Sequence, residues 1–190
     1  MKNSEDKYKN KFIIHTNHES ETYRLGEKIA SQLRPHDILT LNGDLGTGKT
    51  SLVQGICKYF GIESITSPTY TLMNIYDVRN ICKIEKIYHF DSYRLDKNQW
   101  DIMGFDEYID LKNSVSIIEW SENIGIIGDI DINIEYILDN AVDDYNNESG
   151  IKVDKVDKVD KVDKVDIFEK NSNKRKFIIS TRHKFITLMI

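Results

Sequence analysis

The sequence predicts an α/β fold of three layers, with a mixed parallel and antiparallel sheet. Three observations lead there. A glycine-rich run, Gly43-Asp44-Leu45-Gly46-Thr47-Gly48-Lys49-Thr50, stands between a strand-like and a helix-like segment. Short apolar runs alternate with segments of helical periodicity. Two strand-like runs, Leu72 to Tyr76 and Ile84 to Phe90, flank the turn-like stretch Asp77 to Lys83, as in an antiparallel hairpin.

The elements follow in order. Residues 1–10 read as a disordered lead-in, neither a signal nor a transit peptide, with the domain running over 11–190. Lys11 to His15 is a first strand, and Thr16 or Asn17 is placed to cap the next helix. That helix carries Leu25, Ile29 and Leu33 and stops before Pro35. Asp37 to Leu41 is a buried strand. Thr50 to Phe60 is a helix with Leu52, Val53, Ile56 and Phe60 on one side, closed by Gly61. Ser64 to Tyr70 is a polar loop. Asp96 to Asp110 is helical in two pieces broken at Gly104, with Trp100, Met103, Phe105 and Tyr108 as apolar contacts. Val115 to Ile118 is a buried strand ending in Glu119-Trp120. Asp131 to Leu138 alternates in the manner of a half-buried edge strand. Phe177 to Ser180 and Phe185 to Met189 are the final strands.

Residues 152–166 are five tandem Lys-Val-Asp units. A period of three sustains no apolar stripe on a helix or a strand. The low-complexity insert, about 141–174, therefore reads as an inserted, mobile hairpin tip between two strands of a continuing sheet, with a docking tract as the functional alternative.

A chain of 190 residues is long enough to bury a core. A net charge of −5 excludes a generic polyanion binder. The two cysteines, Cys57 and Cys82, have no metal-ligand or disulfide spacing, which suits a reducing compartment. No apolar run reaches the length of a membrane span.

The glycine-rich run carries the chemistry. Its backbone amides turn inward around phosphate oxygens, and the following helix N-terminus adds positive charge. Lys49 supplies a mobile cation for the β- and γ-phosphates, and Thr50 a hydroxyl for Mg²⁺. Such a loop serves many functions, and other segments narrow the choice. No Asn-Lys-x-Asp tetrapeptide for reading guanine occurs, and no Leu-Ser-Gly-Gly-Gln transporter signature. A Mg²⁺–ATP site needs a further carboxylate at a neighbouring strand end. Asp91 and Glu119 both qualify: either holds the metal while the other orients the attacking water.

Five motifs stand in order: the glycine-rich run; Ser67-Pro68-Thr69-Tyr70-Thr71-Leu72; Tyr88-His89-Phe90-Asp91-Ser92-Tyr93-Arg94-Leu95; Gly104-Phe105-Asp106-Glu107-Tyr108; and Ile118-Glu119-Trp120. In order and spacing they resemble the TsaE (YjeE) family of P-loop ATPases, from about Phe12 to Leu138 and weakly again from Phe177.

The resemblance implies a Mg²⁺-dependent ATPase of tRNA threonylcarbamoyladenosine (t6A) biosynthesis. It implies partnership with TsaD and TsaB subunits, the family member driving repeated transfer to tRNA without performing it. Asp44, Leu45, Gly46, Thr47, Gly48, Lys49, Thr50 and Ser51 would hold the nucleotide phosphates. Thr50 and Glu119 would be the metal ligands, and Asp91, with Lys49, catalytic. Thr69 to Thr71 would form a switch-like loop near the γ-phosphate, and Thr22 would lie near the base. Trp120 would touch the nucleotide or serve packing. Arg94 would meet phosphate, a partner or a surface carboxylate, while Tyr93 and His89 read as structural. Ser180, Thr181 and Arg182 sit where the family's last strands approach the base, on an eroded motif. The expected location is the cytoplasm, or an organelle if the source has plastids or mitochondria. Two other functions fit a bare phosphate loop: a small-molecule phosphotransferase, with Lys97 and the Trp100 segment near its acceptor, and a non-hydrolysing nucleotide-dependent binding module.

Overall fold

The computed structural model describes residues 8, 10–137, 153–155 and 173–182. Its strands are β1 (Asn10–Thr16), β2 (Ile38–Asn42), β3 (Met73–Ile81), β4 (Ile84–Asp91), β5 (Ser114–Glu119), β6 (Ile130–Tyr136), β7 (Val153–Lys155) and β8 (Arg175–Thr181). They form one sheet in the order β3-β4-β5-β2-β6-β8-β1-β7. β2 pairs in parallel with β5 and β6, and β4 pairs in parallel with β5. The other pairings are antiparallel. The expected mixed sheet, with a hairpin at one end and antiparallel strands at the other, is present.

Helices α1 (Glu19–Ala30) and α2 (Lys49–Tyr59) pack together on one face. A Cβ at Gly55 would collide with the Tyr23 carbonyl, and one at Gly26 with that of Leu52. The helices touch backbone to backbone because those residues are glycines. Beneath them lies the larger core, including Ile14, Leu25, Ile29, Leu39, Leu41, Leu52, Ile56 and Ile117. The other face of β4 and β5 is covered by α3 (Lys97–Ile102) and the 3₁₀ turns Phe105–Tyr108 and Ser121–Ile124. There Phe90, Trp100 and Phe105 pack with ring centroids 5.0–5.5 Å apart. Asp96 and Gln99 form a capping box at the start of α3, and Gly104, at φ +69°, separates it from the 3₁₀ turn.

Several sequence expectations need correction. β6 is an interior strand, between β2 and β8. Its alternation reports one-sided burial: Ile130, Ile132 and Ile134 face the core, while Asp131, Asn133 and Glu135 face away. The Asp77 to Lys83 turn shrinks to Cys82-Lys83, both at positive φ, because β3 runs on to Ile81 as an edge strand, with Tyr76, Val78 and Ile81 packed against the core and an irregularity after Asp77. Residue His18 occupies the N-cap of α1 with no side-chain bond, since Thr16 belongs to β1 and Asn17 donates its N–H to Glu21. Met103 is 45% exposed rather than an apolar contact.

At its other end the expected lead-in reaches the fold: Tyr8 donates to the Gly128 carbonyl, and β1 begins at Asn10. One triplet of the repeat, β7, pairs with Phe12 to Ile14 of β1 as a strand. The rest of the repeat and the expected strand Phe185 to Met189 lie outside the described residues. Among the described residues no helix is long and apolar enough to cross a membrane.

Candidate nucleotide site

The site forms where the parallel strands end. The chain leaves β2 at Asn42 and enters α2 at Lys49, with Gly43, Gly46 and Gly48 at φ of +130°, +79° and +102°. Gly48 is the left-handed N-cap of α2, so the loop delivers its amides to a helix N-terminus. The hydroxyl of Thr47 donates to the Asp44 carbonyl at 2.9 Å. The ammonium of Lys49 donates to the carbonyls of Gly43 and Asp44 at 2.7 and 2.9 Å and lies 3.7 Å above the Trp120 ring. Burial pushes the Lys49 pKa down, against the opposing pull of Glu119, Glu122, Asp91 and Asp44.

Parallel pairing of β4 with β5 sets Asp91 opposite Glu119. The Glu119 carboxylate lies 3.4–3.5 Å from the Thr50 hydroxyl. Its Oε1 also meets His89 Nε2 at 2.9 Å, and both side chains are buried. Among the described residues His89 Nδ1 has no hydrogen-bond partner.

The carboxylate of Asp91 anchors the loop before β3. Thr69 and Ser67 donate their hydroxyls to its Oδ2 at 2.6 and 3.1 Å, and the Tyr93 N–H donates to Oδ1 at 3.0 Å. Trp120, just after Glu119, holds a left-handed backbone at φ +60°, and its ring packs 4.9 Å from that of Tyr93. Such a conformation costs a bulky side chain about 1–2 kcal/mol, so its neighbours must hold it.

Beside the loop opens a cavity of about 150 Å³, bordered by Glu19 and Thr22 of α1, Gly46 to Gly48, Ser51, Asn173 and Arg175. The Arg175 guanidinium stacks 4.3 Å from the Tyr136 ring, and the Tyr136 hydroxyl donates to the Leu45 carbonyl at 3.0 Å.

These features fit ATP and Mg²⁺. The positive-φ glycines and the helix N-terminus suit a polyphosphate. Mg²⁺ takes one or two protein oxygens and completes its shell with phosphate and water. One hydroxyl and one carboxylate, Thr50 and Glu119, match that habit. Among the described residues no cluster of three or more His, Cys, Asp or Glu side chains is arranged to hold a metal unaided.

Residues 16–145, more than half of the chain, match the family model described as "Threonylcarbamoyl adenosine biosynthesis protein TsaE". The chain belongs to the TsaE family. A Rickettsia conorii protein named tRNA threonylcarbamoyladenosine biosynthesis protein TsaE is 46% identical over 116 residues, covering 58% of this chain and 62% of its own. Its Rickettsia felis namesake is 40% identical over 131 residues, covering 65% and 72%. The Haemophilus influenzae protein of that name is 40% identical over 126 residues, covering 61% and 77%. The match thus spans less than two thirds of the Rickettsia conorii relative. The crystal structure of Bacillus subtilis YdiB superposes with a TM-score of 0.60 at 22% identity, over 91% of this chain and 86% of that one, and shows the fold.

Within this TsaE framework the phosphate-loop residues, Thr50, Glu119, Asp91, Thr69 and Trp120 come together at one sheet end, with Thr22 and Ser51 at the cavity. Ser51 donates to Glu19 at 2.9 Å, and Thr22 shares a 3.0 Å hydrogen bond with Thr16. Ser180, Thr181 and Arg182 do not join them. They lie at the far end of β8, where Thr181 pairs with Ile130 and Arg182 bonds Asp129 at 2.7 Å. Antiparallel pairing brings the opposite end of β8, Arg175, to the loop instead. Arg175 and Tyr136 carry no site signal in the sequence, because only the pairing of β6 with β8 unites them. Arg94 is exposed over the Tyr70 ring, 5.1 Å away. Of the segment considered for a phosphotransferase, Trp100 is fully buried, and the half-exposed Lys97 pairs with Asp101 and Asp106.

Proposed function

We propose that the chain binds ATP with Mg²⁺ and hydrolyses it in support of t6A formation on tRNA. In this reading it works in the cytoplasm with TsaD-like and TsaB-like subunits, meets tRNA through that complex, and does not perform the transfer. The observation that carries the proposal is the convergence of Thr50 and Glu119 at the mouth of the phosphate loop. The names of its relatives supply the pathway.

The loop amides and Lys49 would bind the phosphates and stabilise the charge that develops on them. Thr50 and Glu119 would hold Mg²⁺, which supplies further neutralisation of phosphate charge when bound. Phosphoryl transfer depends more on positioning than on strong base catalysis. Asp91, fixed by Ser67, Thr69 and the Tyr93 amide, is suited to orient the attacking water. Buried His89 would fix the rotamer of Glu119. The exposed loop residues Leu45 and Tyr70 suggest that a partner subunit completes the site, so turnover by the chain alone should be slow.

The test is phosphate release from ATP by wild type and Lys49→Ala, each alone and with TsaD-like and TsaB-like subunits. Stimulation by the subunits that disappears in the variant supports the proposal. ATP binding with no release in any mixture overturns it in favour of a nucleotide-dependent binding module.

A further inference from the structure

We propose that Asn42 is a positioning residue of the nucleotide site, locking the turn that carries Trp120 and Glu122 to the strand that enters the phosphate loop. The inference rests on the ATP reading above. Asn42 is the last residue of β2, directly before Gly43. Its side-chain oxygen accepts from the Ser121 hydroxyl at 2.9 Å and from the Glu122 N–H at 3.3 Å. Its amide nitrogen donates to Asp131 Oδ1 at 3.3 Å. Asp131 is itself fixed by the Thr40 hydroxyl at 2.7 Å and the Asn133 amide at 2.9 Å. The network on β2 and β6 thus orients the Asn42 amide with its oxygen toward the turn.

The turn needs such a lock. It opens with the left-handed Trp120, whose N–H donates to the Leu41 carbonyl at 2.8 Å. On the side of Asp91 it is held by Asn123, which donates to the Ser92 and Tyr93 carbonyls at 3.1 and 3.3 Å. On the side of the phosphate loop, Asn42 supplies a side-chain tie beside the contact of the Glu122 carboxylate with the Gly43 backbone. What the turn places is functional: the Trp120 ring lies beneath Lys49, and the Glu122 carboxylate is close enough for its charge to act on that ammonium. Loss of the Asn42 oxygen would leave the buried Ser121 hydroxyl and the Glu122 N–H without this acceptor. Trp120 would relax, and Lys49 would lose its aromatic floor.

The test compares Asn42→Ala, Asn42→Asp and the double variant Asn42→Asp/Asp131→Asn. It reads Mg²⁺–ATP affinity by calorimetry, melting temperature and tryptophan emission. Trp100 is fully buried on the other sheet face, so a change in emission reports Trp120. Asn42→Ala should weaken affinity about tenfold, the scale of one or two lost hydrogen bonds, and shift the emission. Asn42→Asp keeps the oxygen toward Ser121 but sets a carboxylate against Asp131. The added Asp131→Asn change in the double variant restores a donor to that pair, and affinity should return to within about threefold of wild type. Unchanged affinity and emission in Asn42→Ala, or no recovery in the double variant, overturns the proposal. So does a fall in melting temperature alone. Wild type that fails to bind ATP, with emission shifted in Asn42→Ala and restored in the double variant, leaves the lock standing and removes the ATP reading instead.

Discussion

Thr69 donates its hydroxyl to Asp91 Oδ2 across 2.6 Å, tying the loop before β3 to the end of β4. Ser67 joins the same oxygen, so the loop and the carboxylate move together. Asp91→Ala should lower the rate of phosphate release by tenfold or more while ATP affinity changes by about threefold or less. Thr69→Ala should show a smaller loss in the same direction. Unchanged single-turnover hydrolysis in Asp91→Ala would remove its catalytic assignment.

The parts of the site legible in the sequence are those fixed by local spacing. The phosphate loop is one run between two elements, and its glycines specify their own backbone. Asp91 and Glu119 end apolar strands, and parallel neighbours place such ends together. Arg175 reaches the loop only through the antiparallel register that sets it opposite Tyr136, and that register is a property of the whole sheet. The interior place of β6 has no local signal for a related reason: its half-covered polar face gives the alternation that an edge strand would give. The conformation of Trp120 had no local signal, because an aromatic residue at positive φ is held there by tertiary contacts.

Burial of the Lys49 ammonium opposes its charge, while the Gly43 and Asp44 carbonyls and the Trp120 ring favour it. Burial lowers the Lys49 pKa from the ordinary 10.5, so the folded protein disfavours the charged form that exists at neutral pH. Lys49→Met keeps the length of the side chain without the charge. It should abolish ATP binding yet raise the melting temperature at pH 7 by roughly 2–4 °C, the shift that ~1 kcal/mol gives in a domain of this size. The gain should shrink as the pH rises toward the range where the lysine loses its proton. A lower melting temperature at pH 7 would mean that the contacts to Gly43, Asp44 and Trp120 outweigh burial.

The two arginines near the motifs should separate cleanly. Arg175 borders the cavity and stacks on the tyrosine that tethers Leu45, whereas Arg94 lies outside, over Tyr70. Arg175→Ala should weaken ATP binding about tenfold, a loss of ~1.4 kcal/mol. Arg94→Ala should bind ATP as wild type does. Equilibrium titration with a fluorescent ATP analogue checks both, and the reverse ranking would remove Arg175 from the site.

Asp131 provides a pH signature. Its pKa is raised from 3.8 by burial, against the hydrogen bonds from Thr40 and Asn133 that favour its charge. A carboxyl with a raised folded pKa contributes stability below its unfolded pKa and loses that contribution as pH rises through the folded value. Asp131→Asn also turns an amide donor toward the Asn42 donor, so the sign is read from the change with pH: its melting temperature relative to wild type should rise by about 2 °C between about pH 4 and pH 7, where the wild-type carboxyl ionises. Thermal melts across pH 3–7 decide it, and a relative melting temperature that falls over that range reverses the sign of the argument.

Removal of residues 152–166 asks how much the Lys-Val-Asp repeat contributes to the fold. One triplet pairs with Phe12 to Ile14 at the sheet edge, but β1 is also paired along its whole length with β8 on its other side. Loss of a three-residue edge strand leaves that ladder intact. The cavity beside the glycine-rich loop is bordered by α1, that loop and the start of β8, none of which the deletion removes. The deleted protein should therefore bind ATP within about twofold of wild type and melt no more than ~4 °C lower. A drop beyond ~8 °C would show that the repeat packs against the domain over far more than its edge triplet. Weakened ATP binding with little change in melting would instead place the repeat's effect at the cavity, through the neighbouring Asn173 and Arg175.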